Sequence, residues 1–445
     1  MRRSFFTPEE IFSRAEGLAA PRTGLIGPAQ ELALRSGNPE LCVFGVSVSN
    51  PNQLAGRIAA LDPGNALSGA GSSLDRTWAR AKAYCEALER YSNYVPPRAE
   101  FVVASRAELG ADALDLELFP RCSAAEYASP RNSLVPPSNQ ARMRWVQGRS
   151  LITGRPCWVP AIAAYLGLEY DYPGEAFMLP ISTGSALAAS YEQALVSAIC
   201  EVVERDALML TWLHQLPLPR IDVAEFHEPG FEQRVRRVVA AGIEQIFFDA
   251  TTDLGVATLY ALQLAPHGDV AALVMSATRT NPLSIFSKII DESSSSRFAI
   301  EQLLRQPLPF DPQDFGTFRR LTDGAAYYAD PRRLEAFDFL LGHDRWRDLG
   351  ELPALDDPDP AVELDRLVGI FRRRDLELVA VDLTLPSVGE AGFRAVKVVA
   401  PQLLPLATDH NCRFLDTPRL YEAPARMGYE ARRPDQLNPW PQPFA

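Results

Sequence analysis

A six-residue pattern occurs twice, as Cys85-Glu86-Ala87-Leu88-Glu89-Arg90 and as Cys200-Glu201-Val202-Val203-Glu204-Arg205, the glutamates of the second copy following those of the first by 115 residues. Glutamates three apart in a helix share one face, so each copy presents two carboxylates in one direction. Two such helices side by side could gather four. A single Glu-x-x-Glu-Arg copy reads most simply as a solvated face with local ion pairs. The second copy resists that reading, because Ala194 to Leu213 is apolar almost all round, with charge confined to Glu201, Glu204, Arg205 and Asp206. A buried carboxylate needs a pairing charge or a cation. Ligands that are all oxygen favour a hard ion, and Mg2+ shared with nucleotide phosphates is the usual solution. Arg90 and Arg205 could orient the carboxylates, reach a phosphate, or simply form salt bridges.

Each copy sits in a helical stretch, Asp75 to Tyr94 and Tyr191 to Leu213, that follows a run of small residues. These runs are Ser68-Gly69-Ala70-Gly71-Ser72-Ser73 and Ser182-Thr183-Gly184-Ser185, and both read as loops that serve either as helix caps or as anion cradles. At 1.5 Å per residue Glu86 lies roughly 20 Å along its helix from Gly71, so one loop and its own carboxylates would not share a phosphate. Further helices are expected over Phe286 to Leu304 and Ala361 to Arg373. Strands are expected over Glu40 to Ser49, Glu244 to Phe248, Val256 to Leu264, Val270 to Met275 and Leu376 to Leu383. The class is α+β, with mixed sheets flanked by helices and an internal loop-helix repeat. Residues 1–60 are read as the N-terminal part of the fold, 61–430 as the domain that carries both glutamate pairs and 431–445 as a Pro-rich tail. Pro120 to Gln140 and Leu352 to Pro360 read as loops within it.

Over 445 residues, a 47% hydrophobic and 22% charged composition describes a globular chain with room for a full core. The net charge of -12 argues against nucleic acid as an electrostatic partner. The charges in the middle of the second helix reject a membrane span, and the first ten residues lack the apolar stretch of a signal peptide. Six scattered cysteines without a Cys-x-x-Cys pair make zinc and disulfides unexpected, and a cytoplasmic location is the expectation.

In ordered detail the chain resembles the YcaO family. The resemblance rests on the Ser-Gly-rich run before Glu86-x-x-Glu89-Arg90-Tyr91-Ser92, then Ser182-Thr183-Gly184-x-Ala186, Glu201-x-x-Glu204-Arg205-Asp206-Ala207 and Pro219-Arg220-Ile221-Asp222. It continues through Asp382-Leu383-Thr384 and Val396-Lys397-Val398-Val399-Ala400-Pro401, so it spans nearly the whole chain. Ala70, Thr183 and Ala188 depart from the Lys, Asn and Gly of many members. The resemblance implies ATP and Mg2+ as cofactors, with Glu86, Glu89, Glu201 and Glu204 on the metal and these four plus Ser68 and Arg205 on the nucleotide. Glu292 and Arg297 are similar to a third nucleotide-site helix, the alternative being a local helix pair. Pro439-Trp440-Pro441-Gln442-Pro443 near Ala445 resembles the ending of the family's azoline-forming cyclodehydratases, which implies a catalytic role for Pro439, Pro441, Pro443 and Ala445; otherwise it is a stiff polyproline tail.

The implied reaction converts Cys, Ser or Thr of a ribosomally made precursor peptide to an azoline, with phosphorylation of the backbone amide oxygen by ATP. Only about 65 residues precede the first motif, so a separate E1-like, leader-binding partner protein is implied, with a flavin dehydrogenase where the rings become azoles, and a homodimer is expected. The alternatives are another reaction of the family, forming a thioamide or amidine or assisting methylthiolation, and a non-catalytic ATP-binding peptide scaffold.

Overall fold

The computed structural model describes residues 6–21, 24–49, 68–96 and 100–444. Three sheets carry the molecule. The first is antiparallel, with β1 (Gln30–Glu31), β2 (Cys42–Ser47) and β3 (Ser68–Ser73) in that order. β2 lies before residue 60 and β3 after it, so the sheet joins the N-terminal part to the region that follows. The second sheet orders β4 (Val102–Ala104), β5 (Met143–Ser150), β13 (Val379–Asp382), β14 (Arg394–Val399) and β7 (Ser185–Ala188), with β6 (Pro156–Pro160) also on β5. The third orders β11 (Ala272–Thr278), β10 (Thr258–Leu264), β9 (Glu244–Asp249), β8 (Arg220–Ile221) and β12 (Trp346–Arg347), and only the β8–β12 pairing is parallel.

The four expected helices are present as Arg76–Tyr94, Tyr191–His214, Leu283–Leu303 and Pro360–Arg373. Asp75 caps the first by accepting from the Trp78 N–H, and Ser190 caps the second by accepting from the Gln193 N–H, each satisfying a donor the helix cannot. The expected strands form too, within a few residues of their anticipated ends.

One expectation is corrected. Ser68 to Ser73 is a strand, not a loop. Its glycines admit a helix rather than a turn: a Cβ on Gly71 would stand 2.1 Å from the Ala79 carbonyl oxygen, and one on Gly69 2.3 Å from that of Ala83. Ala79, Ala83 and Ala87 thus lie on the strand backbone, and the shared small-residue face fixes the rotation of the first glutamate helix. In the second run only Gly184 needs glycine's freedom, at φ +84°, before the chain enters β7. Within Pro120 to Gln140, Ala124–Ala128 forms a short helix.

The Pro-rich end is not a free tail. Asn438 donates to the carbonyls of Leu213, through its backbone, and Trp212, through its side chain. The Trp440 carbonyl accepts from Trp212 Nε1 at 3.1 Å and the Pro441 carbonyl from the Tyr328 hydroxyl at 2.8 Å. Phe444 is buried and bridges Val274 of β11 in parallel, so the segment runs along the second glutamate helix to the edge of the third sheet. Gly324 makes room for it, since a Cβ there would strike the Gln442 carbonyl. No helix among the described residues is long and apolar enough to cross a membrane.

Candidate active site

The two glutamate pairs are built alike. Glu86 Oε2 accepts from the Ala70 N–H at 2.8 Å, and Glu201 Oε2 accepts from the Gly184 N–H at 2.9 Å. Four residues on, Arg90 Nη2 reaches Glu86 Oε1 at 2.6 Å and Arg205 Nη2 reaches Glu201 Oε1 at 3.3 Å. The first glutamate of each pair is therefore anchored by a backbone amide from the preceding small-residue run and by a helical arginine. Because Ala70 contributes its backbone, the contact does not depend on the side chain at that position.

The second glutamate of each pair faces inward. Burial, then the charges of Glu201 and Glu86, hold the Glu89 carboxyl well above the usual carboxylate range. Burial also raises Glu204, with Glu292 and Glu201 adding to it and Lys288 and Arg205 opposing. That Glu201 acts on Glu89 across the repeat brings the two helices to one site. Glu204 Oε2 further accepts from the Thr278 N–H of β11 at 3.0 Å. Burial lifts both acids despite the nearby Arg90, Arg205, Lys288 and Lys397, so a further positive charge would be favoured between them.

That preference for positive charge, with oxygen donors only, fits a hard divalent cation. Among the described residues no three His, Cys, Asp or Glu stand close enough together to hold an ion by themselves. The donor set therefore suits Mg2+ that takes other ligands from phosphates and water rather than a protein-only cage.

Lys397, on β14, was not singled out by the sequence. Burial pulls its ammonium down to about 8, against the opposing pull of Glu201 and Glu89, and it donates to the Ile181 carbonyl at 2.5 Å. The signal was present: a lone cation in the buried strand Val396–Val399 requires partners across the sheet. Lys288 was missed as well. It pairs with Glu292 at 2.7 Å, and although burial alone would raise Glu292, Lys288, Arg279 and Lys82 hold it below the usual range. Lys82, Glu86, Glu89 and Asn93 fall at i, i+4, i+7 and i+11 on one stripe of the first helix. Asn93 is buried and both of its side-chain amide atoms lack a partner.

The remaining expected residues fall in different places. Glu292 acts on Glu204, so its helix does reach the cluster. Arg297 does not join it. Five residues beyond Glu292 it turns to another face, where its guanidinium binds the Val270 carbonyl at 2.8 Å and the Gln263 side chain, and it makes no pair with Glu292. Its guanidinium is thus held by the third sheet, and a contact from it to the nucleotide stays a proposal. Ser68 is exposed at the head of β3, where it pairs with Ser47, and the small-residue run meets Glu86 through Ala70 instead. Arg205 also lies 4.2 Å from the centroid of the Phe444 ring, which brings the end of the chain against the second carboxylate pair. Pro439, Pro441 and Pro443 belong to this segment, and Ala445 lies outside the described residues.

Comparison with known proteins agrees with this arrangement. The family model described as YcaO cyclodehydratase, ATP- and Mg2+-binding, matches residues 69–404. Curated relatives include an uncharacterized protein of Methanothermobacter thermautotrophicus, 29% identical over 197 residues that make up 43% of this chain and 47% of that protein. A second lies in the tfuA 3' region of Rhizobium leguminosarum bv. trifolii, 28% identical over 43% of this chain and 44% of that protein. The chain thus spans about half the length of the curated relatives it matches.

Among solved structures, a heterocyclase in complex with substrate and cofactor superposes with a TM-score of 0.79 at 22% identity, over 99% of this chain and 57% of that one. YcaO from Methanopyrus kandleri bound with AMPPCP and Mg2+ gives 0.63 at 17% identity, over 89% and 91%. The E. coli microcin synthetase McbBCD complex with pro-MccB17 bound gives 0.59 at 10% identity, over 94% and 96%. These likenesses establish a common fold. With the family match extending over more than half of the chain, from the strand before the first glutamate helix to the segment after β14, the protein belongs to the YcaO family of ATP- and Mg2+-binding cyclodehydratases.

Proposed function

We propose that this chain cyclises Cys, Ser or Thr residues of a precursor peptide to azolines, using ATP to activate the backbone amide oxygen. The observation that carries the reading is the doubled carboxylate site, in which each helix anchors one glutamate and turns a second inward, within a YcaO fold. The side-chain thiol or hydroxyl adds to the preceding carbonyl carbon and its proton is lost. The resulting oxyanion attacks the γ-phosphorus of ATP and ADP leaves. Loss of the amide N–H proton and of phosphate closes the C=N bond, so one water equivalent leaves as part of the phosphate.

Glu86, Glu89, Glu201 and Glu204 are the residues that would hold Mg2+, which when bound neutralises phosphate charge. Glu86 and Glu201 are held still by their amides and arginines. A bound cation would favour the charged forms of Glu89 and Glu204, which burial disfavours. The end of the chain, stacked on Arg205 through Phe444, walls the second pair and limits water. A role for Pro439, Pro441 and Pro443 in stiffening the approach belongs to this proposal.

The heterocyclase and microcin synthetase likenesses support the azoline reaction over the family's other chemistries, and the pro-MccB17 complex supports a peptide substrate acted on with partner proteins. A leader-binding partner for this chain, a flavin dehydrogenase and a homodimer are proposed on the same footing. An oxygen-labelling experiment tests the reaction. With 18O in the peptide backbone carbonyl, label should appear in inorganic phosphate, while label confined to solvent-derived oxygen would contradict amide-oxygen phosphorylation.

A further inference from the structure

An apolar cavity of about 740 Å3, counting space open to solvent, adjoins the carboxylates. It shares Thr183, Val202 and Lys397 with them: Thr183 precedes Gly184, whose N–H holds Glu201, Val202 follows Glu201, and Lys397 acts on Glu201 and Glu89. Of its 19 lining residues only Thr183, Lys397 and Thr408 carry polar side chains. Three of its backbone donors are spent: the N–H of Val398 goes to Gly184, that of Leu403 to Ala400 and that of Leu404 to Asp206. Pro120, Pro401 and Pro405 have none to offer. Met178, Leu179 and Ile181 are half-buried and form the rim.

We propose that this cavity is a specificity pocket for an apolar side chain of the substrate peptide, that of the residue supplying the carbonyl that is phosphorylated. The proposal rests on the cyclodehydratase reading of the site. In an extended peptide each residue advances about 3.3 Å, and the side chain of the carbonyl donor branches one bond from the reacting carbon. A pocket whose wall includes the chain neighbours of Gly184 and Glu201 suits the side chain that branches closest to the reacting carbon. A nucleotide base is the competing occupant, and among the lining side chains its polar edge would find only Thr183, Lys397 and Thr408.

The test uses dye-labelled, capped peptides of the form Gly-Gly-Xaa-Cys-Gly-Gly with Xaa as Phe, Leu, Gly or Asp, bound to the full-length protein with Mg2+ and a non-hydrolysable ATP analogue and followed by fluorescence anisotropy. Phe and Leu peptides should bind roughly tenfold or more tightly than the Gly peptide, the scale on which an apolar pocket discriminates. Leu179→Trp and Ile181→Trp, which fill the rim, should abolish that preference and leave affinity for the ATP analogue unchanged. Equal affinities across the series with wild-type protein would overturn the pocket, and that comparison needs no variant to fold. Loss of analogue affinity in the Trp variants with the peptide preference intact would reassign the cavity to the nucleotide base. Cyclisation is scored separately, on a leader-bearing precursor peptide with the leader-binding partner and Mg-ATP: no ring formation there, with the binding preference present, would count against the reaction and not against the pocket.

Discussion

At the scale of single residues, the site is governed by two buried acids, Glu89 and Glu204, whose carboxyls burial lifts above the usual carboxylate range. Glu89 and Glu204 bind protons more tightly in the folded than in the unfolded chain, so the folded state carries more protons above pH 4.5 and loses stability as pH rises through their raised values. Lys397 has the opposite sign between about 8 and 10.5, where the unfolded chain binds the extra proton and stability rises with pH. Melting temperature without nucleotide should therefore fall as pH rises above the ordinary carboxylate range, and Mg-ATP should stabilise more at the higher pH. Glu204→Gln should flatten that slope and melt no lower than wild type, while ATP turnover falls about a hundredfold or more. Calorimetry beside an ATPase assay decides between this and a structural pair, for which the variant would melt much lower and keep turnover. The glutamates were legible because a spacing of three fixes a helix face and the repeat doubles it. Lys397 was harder to assign, since a strand sequence does not say which carboxylates lie across the sheet.

At the scale of elements, the geometry depends on how closely the first glutamate helix lies on β3. Gly71→Ala places a methyl 2.1 Å from the Ala79 carbonyl oxygen, so the helix must shift and carry Glu86 with it. The expected cost is about 1–3 kcal/mol by chemical denaturation, accompanied by weaker ATP binding. Gly350→Ala, with nothing within 4 Å of the added Cβ, is the control and should do neither. The sequence marks these glycines but does not distinguish a turn from a close approach, which is why a strand was expected to be a loop. The chain end presents the same difficulty, because alternate prolines specify an extended backbone without saying what it lies against. Phe444→Ala should cost about 3 kcal/mol, whereas Phe444→Leu keeps the packing and should lose about 1 kcal/mol or less with the ring over Arg205. Cyclisation falling in Phe444→Leu, with fold and nucleotide affinity kept, would show that the segment serves the chemistry. Deleting Asn438 onward is a poorer test, since Trp440 and Phe444 pack on the core and their removal must also destabilise the fold.

At the scale of the whole molecule, three sheets and the helices between them bring together groups that no local pattern connects. Glu89 from the first glutamate helix, Glu204 from the second, Lys397 from the second sheet and the Thr278 N–H from the third all act on one site. The α+β class and the long helices were legible because their hydrophobic periods are strong. The partners of Arg297, Gln263 and Val270, were not legible because they are remote in sequence and only the fold brings them to it. A site assembled from so many elements makes a strict demand, that peptide dehydration and ATP consumption rise and fall together. The most direct measurement combines the protein with Mg-ATP, a Cys/Ser/Thr-containing precursor peptide and its leader-binding partner, and follows intact peptide mass beside released phosphate. One water lost for each phosphate released, both abolished in Glu204→Gln, is the expected result. ATP hydrolysis without any loss of water from the peptide would contradict the cyclodehydratase assignment.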